Sequence, residues 1–339
     1  MALRKPTGGS PSAGSKRMPN IKVTDLHTWA TKTLTTVGVK EKDAAHIAQC
    51  LIDVDKRGVK SHGTRQLRRY VKEFQNGEIN PAPEIRVLRE TDQSVRLDGD
   101  GGAGYLVATQ GVDAACAKSK DVGIAVASTC NHGHVGSEGI YARRALAHGL
   151  ISWCVAGGTH WSRTDEANAT VWNAMHSPPM CMAVPSDDGG PPLVLDMNAN
   201  QFGRSDTAEA AIAAGYGKSV FGSLGMRFIS TLVGGVLSGD TGSETERVYK
   251  GANRGFVFIA LDPDTVGDGT AFKKRAREVI DESLTLPPMA GTDASALPGT
   301  LEWRRERACE SNGVPIPNDH QEMLEQIARD FTLDPPKWM

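Results

Sequence analysis

Between residues 84 and 155 the chain alternates strand and helix patterning, and this rhythm limits the fold more than any other feature. Ile85-Arg-Val-Leu and Ser94-Val-Arg-Leu-Asp alternate apolar and polar residues, as half-buried strands do. Residues 105–119 have helical spacing and Val122-Gly-Ile-Ala-Val-Ala-Ser reads as a buried strand. Residues 138–148 are helical again, and Leu150-Ile-Ser-Trp-Cys-Val is a further strand. A β-α-β-α-β succession predicts an α/β core, because the intervening helices must bury their apolar stripe against the sheet.

Helical patterning precedes this core. Leu26, Trp29, Ala30 and Leu34 recur on one face over residues 23–37, and Ala44, Ile47, Leu51 and Val54 over residues 41–57. Gly58 stands near the C-cap position of the second helix. A third, basic helix is expected over 61–76, with Arg65, Arg68, Arg69 and Lys72 on a solvated face. After the core, residues 158–176 are polar and irregular, and Met180–Val184 and Leu193–Met197 are short strands. Residues 219–239 read as an apolar, glycine-rich buried helix, 240–254 as a polar loop and Gly255-Phe-Val-Phe-Ile-Ala-Leu-Asp as a strand. Helices 270–284 and 318–331 flank a loose Pro/Gly/Ala segment. The expected organisation is a disordered tail over 1–20, a helical subdomain over 21–80, an α/β core over 81–160, a further unit over 161–254, and a segment over 255–339 that returns to the core.

A chain of 339 residues buries roughly three quarters of its unfolded surface without covalent staples. Its formal net charge of −2 supplies no global field for nucleic acid or an anionic membrane. The six cysteines are scattered without paired spacing, which suits reduced thiols in a cytoplasmic setting. No apolar run is expected to reach the ~20 residues that span a bilayer. The expected partner is therefore a small molecule, with no nucleic acid and no membrane.

Two motifs invite over-reading. Gly99-Asp-Gly-Gly-Ala-Gly104 matches G-x-G-x-x-G after a strand and before a helix. The strand that follows ends in Ala-Ser-Thr-Cys, without the acidic residue that would hold a ribose, so a tight strand-to-helix turn is the reading. Cys130, His132 and His134 lie close in sequence, but no complementary Cys/His pair occurs elsewhere to complete a zinc site, and no metal is expected.

Two glycine-bounded turns remain: Asp55-Lys-Arg-Gly-Val-Lys-Ser-His and Asn131-His-Gly-His-Val-Gly-Ser-Glu-Gly-Ile-Tyr. Glycine lets backbone approach a small ligand closely, and histidine changes charge near neutral pH. Reduction of a 2-oxo acid or imine needs a proton donor at the reacting oxygen or nitrogen and a cation on the carboxylate. Histidine suits the first role, and arginine, with its two-pronged hydrogen bonding, the second. His62, His134, Arg57 and Arg65 are the available residues.

These segments resemble the malate/L-lactate dehydrogenase family that is unrelated to the Rossmann-fold dehydrogenases, and which includes malate, sulfolactate and ureidoglycolate dehydrogenases and cyclic-imine reductases. Val54-Asp-Lys-Arg-Gly-Val-Lys-Ser-His-Gly, with Tyr70 and Ile79-Asn-Pro after it, is similar to the family's helix-end motif. His132 to Tyr141 is similar to its Ser-x-His-Phe-Gly-x-x-Gly-x-Tyr, which gives His134 the place of the acid/base histidine. Leu195-Asp196-Met197 resembles the Leu-Asp-Met that brings an aspartate to the active site. The resemblance implies an α/β, sulfolactate-dehydrogenase-like fold: an N-terminal helical subdomain, a mixed-sheet core and a non-Rossmann cofactor domain. It implies NAD or NADP as cofactor and a homodimer with its active site at the subunit interface. His62, His134 and Asp196 become the expected catalytic residues, and Arg57, Arg65, Ser61 and Gln66 the expected substrate-binding ones.

Departures from the family pattern cluster in the cofactor region. Gln66 replaces an arginine, and Arg65 beside it is rotated by ~100° on a helix. A Gly-Thr-Asn-Pro aligns with His176-Ser177-Pro178-Pro179, where proline removes an amide side chain and a backbone donor. Only about two dozen residues separate Asp196 from the following apolar helix, so this unit is shortened, and Lys218 takes the place of the family lysine only with a one-turn shift. The expected cofactor contacts are His176, Ser177, Pro179 and Lys218. Two functions fit: an NAD(P)H-dependent reductase of a small 2-oxo acid or cyclic imine with a rearranged cofactor pocket, or a cofactor-independent isomerase, cyclase or lyase that kept the histidines and lost hydride transfer.

Overall fold

The computed structural model describes residues 18–158, 169–174, 177–187, 189–239 and 247–339. Strand β1 (Asn20–Ile21) pairs with β9 (Val314–Pro315) near the far end of the chain. Helices α1 (Val23–Thr35) and α2 (Glu41–Lys56) follow the predicted periodicity, burying Leu26 and Leu34 and Ile47, Leu51 and Val54. The third helix starts later than the sequence suggests. Gly63 sits where any Cβ would strike the Asp55 carboxylate, and that carboxylate accepts hydrogen bonds from the Thr64 amide (2.8 Å) and hydroxyl (2.5 Å). This tether holds residues 60–63 as a turn, and regular helix, α3, runs only over Leu67–Gln75.

Seven strands form one mixed sheet: β2 (Arg86–Thr91), β3 (Ser94–Asp98), β4 (Ile124–His132), β5 (Ile151–Gly158), β6 (Pro179–Val184), β7 (Leu193–Asn198) and β8 (Arg254–Leu261), in the order β2-β3-β4-β8-β5-β6-β7. β4 and β5 are consecutive strands in the chain after β3 but are not neighbours in the sheet. Instead β8 enters between them, antiparallel to both. Its run of apolar residues suits a strand covered on both faces. Phe256, Phe258 and Ala260 face α4 (Gly104–Val122) and α5 (Gly139–Leu146), whereas Val257 belongs to a smaller cluster with Val155 and Met180 on the other face.

Helices α6 (Ser205–Ala213) and α7 (Gly217–Thr231) follow the sheet strands β6 and β7, and α7 passes into π-helical turns over Leu232–Leu237. The 217–237 stretch is long and apolar enough, by length and composition alone, to cross a bilayer, which corrects the expectation that no run reaches that length. It is also not the buried helix expected there. Thr231, Gly234 and Gly235 are buried, but Phe221, Ile229, Leu232, Val236 and Leu237 are exposed. The seam is built on glycine: a Cβ at Gly234 would lie 2.6 Å from the Ala156 carbonyl carbon and 2.8 Å from the Gly157 nitrogen. Backbone cannot yield there as a flexible side chain would. We expect Gly234→Ala to lower unfolding stability by about 1–3 kcal/mol in urea titration. Gly225→Ala, on α7 with nothing within 4 Å of its added methyl, should be neutral or stabilising by up to about 1 kcal/mol. Equal effects of the two would rule out the seam.

The C-terminal segment carries α8 (Gly269–Leu284) and α10 (Asn318–Asp330), as expected. Between them, where the sequence reads as loose, lies a further helix, α9 (Thr300–Asn312), packed against α2. Its few apolar residues leave no periodic stripe, which hides it from pattern reading.

Candidate active site

At the ends of β4, β5 and β7, and the starts of β6 and β8, the sheet opens into a cavity of about 750 Å³. The helical N-terminal region closes it from one side through Arg57, Ser61 and His62, and α9 adds Glu302.

His134 follows β4 on a turn tight enough to need its glycines. At Gly104 a Cβ would come 2.5 Å from the Gly133 carbonyl and 2.8 Å from that of His134, so only glycine lets α4 pack on this turn. Nδ1 of His134 lies 2.7 Å from the Tyr70 hydroxyl, itself 3.0 Å from the Tyr105 hydroxyl, and both tyrosines are buried. This leaves Nε2 for a ligand. The His62 ring centroid is 5.7 Å away at 33°, and its Nδ1 is 2.8 Å from the Ser61 hydroxyl. Burial pushes His134 down to about 3, with Arg69, His62 and Arg254 adding unfavourable charge. Burial also lowers His62, against the opposing pull of Asp196. Both imidazoles are therefore neutral at neutral pH and able to accept a proton.

Asp196, on β7, is anchored at the start of α5. Its Oδ2 accepts hydrogen bonds from the Ser137 hydroxyl (2.5 Å) and the Gly139 amide (2.8 Å). His62, His134 and Asp196, more than 130 residues apart at their extremes in sequence order, line this one cavity.

The other expected residues divide. Ser61, Ser177 and Pro179 line the cavity. Arg57 does too, but its Nε and Nη2 donate to the Glu306 carboxylate of α9 at 3.2 and 3.0 Å. Arg65 lies outside the wall, donating to Asp319 at 2.8 Å, and Gln66 lies outside it with its amide on the Ser61 carbonyl at 2.6 Å. Lys218 is exposed on α7 and does not line the cavity. His176 falls outside the described residues. His132 points into the core, with Nε2 2.8 Å from the Thr129 hydroxyl and Nδ1 2.8 Å from the Gly133 carbonyl. Among the described residues no three His, Cys, Asp or Glu side chains gather as a metal site would need.

The sequence reading passed over Arg143, Arg254, Glu138 and Glu302, all in the cavity wall. Arg143, on α5, keeps one hydrogen bond to the Gly139 carbonyl at 3.1 Å and is lowered by burial. Its spacing from Gly139 on a short helix was the available signal. Arg254 arrives only because β8 is threaded between β4 and β5, opposite both His132 and Gly158.

The family model for malate/L-lactate dehydrogenase matches residues 21–215 and 221–325. The malate dehydrogenase of Pyrococcus horikoshii is 28% identical over 293 residues, covering 76% of this chain and 80% of that one. The L-sulfolactate dehydrogenase of Methanocaldococcus jannaschii is 25% identical over 331 residues, covering 88% and 93%. The solved structure of the Pyrococcus horikoshii enzyme superposes with a TM-score of 0.80 at 24% identity, over 95% of this chain and 98% of that one. With the fold and most of the length accounted for, the chain belongs to the malate/L-lactate dehydrogenase family.

Proposed function

We propose that the protein is a nicotinamide-dependent dehydrogenase that interconverts a small 2-hydroxy acid and its 2-oxo acid, with His134 as the proton-transferring group. The observation that carries this reading is the facing pair His62 and His134 over one cavity that also holds Asp196, Arg143 and Arg254. The names of related proteins agree with it: malate and L-sulfolactate dehydrogenases act on small hydroxy acids, and a relative from Escherichia coli is a ureidoglycolate dehydrogenase (NAD(+)).

The cavity's other wall suits the nicotinamide end of such a coenzyme. Ala156, Gly157, Pro178 and Pro179 offer flat apolar surface, and Ser177 and Asn198 add isolated hydrogen-bonding groups at its rim, as an uncharged ring with a carboxamide requires. When bound, the coenzyme accepts or supplies the hydride. The chain's own residues do the rest. Arg143 and Arg254 draw in the substrate carboxylate. Neutral His134 takes the hydroxyl proton at Nε2, while Tyr70 fixes the ring through Nδ1. Asp196 offsets the positive charge that a protonated His62 would bring beside it.

The direct test is titration of the full-length protein with NADH and NADPH, followed by fluorescence, and then turnover with malate and sulfolactate. Micromolar coenzyme binding with hydroxy-acid oxidation is the expected result. Turnover of an isomerase or lyase substrate with no coenzyme binding would move the chain to the cofactor-independent acid/base class. The reading includes a homodimer. Exposed Phe221, Ile229, Leu232 and Val236 form an apolar face beside Thr231, which lines the cavity, and a second copy is the natural cover for it. A fully active monomer in sedimentation would remove that part.

A further inference from the structure

Glu138 opens α5 between Ser137 and Gly139, the two residues that hold Asp196. It is part of the cavity wall, yet it has no accessible surface, and neither carboxyl oxygen has a hydrogen-bond partner among the described residues. A buried acid without a partner is costly, and native structures rarely keep one without a use. We propose that Glu138 is a specificity-determining residue: its carboxylic acid donates a hydrogen bond to an oxygen of the bound hydroxy or oxo acid when the wall closes on the ligand.

The surroundings favour a donor over a charge. Asp196 faces Glu138 from β7, Cys154 from β5, Cys181 from β6 and Tyr141 from its own helix, and none of these is a cation. Burial first, and then the Asp196 carboxylate, push Glu138 well above the ordinary carboxylate range. The Cys154 thiol opposes burial more than Asp196 assists it, and the Ala156 amide adds to that opposition, though neither meets hydrogen-bonding geometry at the carboxyl oxygens. Burial beside another carboxylate thus favours the protonated acid, which presents an O–H. The charged side chains that collect a ligand here include Arg143 and Arg254, which select anionic oxygens, and an O–H is complementary to the same oxygens. The segment's sequence gives the residue its singularity: Gly133-His-Val-Gly-Ser-Glu-Gly places one acid among small and apolar residues.

This inference rests on the reading of the cavity as a hydroxy-acid pocket, and the test separates the two. Oxalate, an unreactive stand-in for a 2-oxo acid, is titrated calorimetrically into the NADH-loaded full-length protein. Glu138→Leu is expected to weaken oxalate about tenfold or more, the value of a hydrogen bond to a charged acceptor. Glu138→Gln keeps a donor of the same shape and should recover most of that affinity. Wild-type affinity should fall as pH rises and the Glu138 proton leaves, and Glu138→Gln should lack that limb. Binding by Glu138→Leu within twofold of wild type would overturn the inference and assign the acid to packing or an ordered water. Equal weakening by both variants would overturn the donor role. Should Glu138→Leu fail to fold, that limb and its loss in Glu138→Gln decide alone. Failure of the wild type to bind oxalate or any 2-hydroxy acid would defeat the pocket reading and this inference together.

Discussion

Replacement of His134 with alanine should lower kcat by about 10²–10⁴-fold, the usual worth of positioned acid–base catalysis, and leave the protein folded. The two halves of this expectation have separate grounds. The imidazole lines the cavity, held by Tyr70 through Nδ1, and no partner of Nε2 occurs among the described residues. Its loss does not strand Tyr70, whose hydroxyl keeps the Tyr105 hydroxyl at 3.0 Å as a partner. The KM for the proposed hydroxy acid should change much less than kcat, because Arg143 and Arg254, the proposed carboxylate ligands, are untouched. Steady-state kinetics beside a circular-dichroism melt would check this. Activity within a few fold of wild type, in a variant with an unchanged melt, would take His134 out of the proton-transfer role.

How far such a site was legible differs from residue to residue. Ile47, Leu51 and Val54 repeat at helical intervals, and β4 is a short apolar run between a glycine and a histidine turn, so the elements carrying His62 and His134 could be read locally. That their rings would meet could not, since nothing local sets the pairing of distant segments. The same holds for Arg254: its strand was recognisable, but its place between β4 and β5 is a long-range choice. Arg57 shows a different limit. Its position in the wall was anticipated, but its partner Glu306 sits on a helix whose sequence, Thr300-Leu-Glu-Trp-Arg-Arg-Glu-Arg-Ala-Cys-Glu-Ser-Asn, has no apolar stripe to announce it. Arg65 and Gln66 fail to reach the cavity because the Asp55–Thr64 tether delays α3 and turns both side chains elsewhere.

Acidification should destabilise the fold through His132, and with it the turn that carries His134. His132 is wholly buried. Among the described residues its Nδ1 has the Gly133 carbonyl as hydrogen-bond partner and donates to it, which makes Nε2 the acceptor from Thr129. Protonation turns Nε2 from acceptor to donor and puts a charge into the core, and burial accordingly pushes His132 down to about 4. A folded-state value below the unfolded one means stability is full above about pH 6.5 and is lost as pH falls toward 4, at about 1.4 kcal/mol per pH unit, or about 3 kcal/mol in all. His320, also at about 4, adds to the loss: Thr64 donates to Asp55, so the His320 Nε2–H donates to Thr64, and the incoming proton must land on a buried Nδ1 without an acceptor. Asp55 works in the other direction, because burial raises it to about 6 and the folded state takes up its proton more readily below that pH. The wild-type curve is therefore a sum of opposing terms, and the histidine term emerges only by difference. Urea unfolding of wild type and His132→Gln between pH 7.5 and 4.5 should give curves that converge as pH falls, since the variant has no proton to bind there. Parallel curves over that range would mean that His132 titrates alike in the folded and unfolded chain, and that the turn beneath His134 is held by something other than a neutral imidazole.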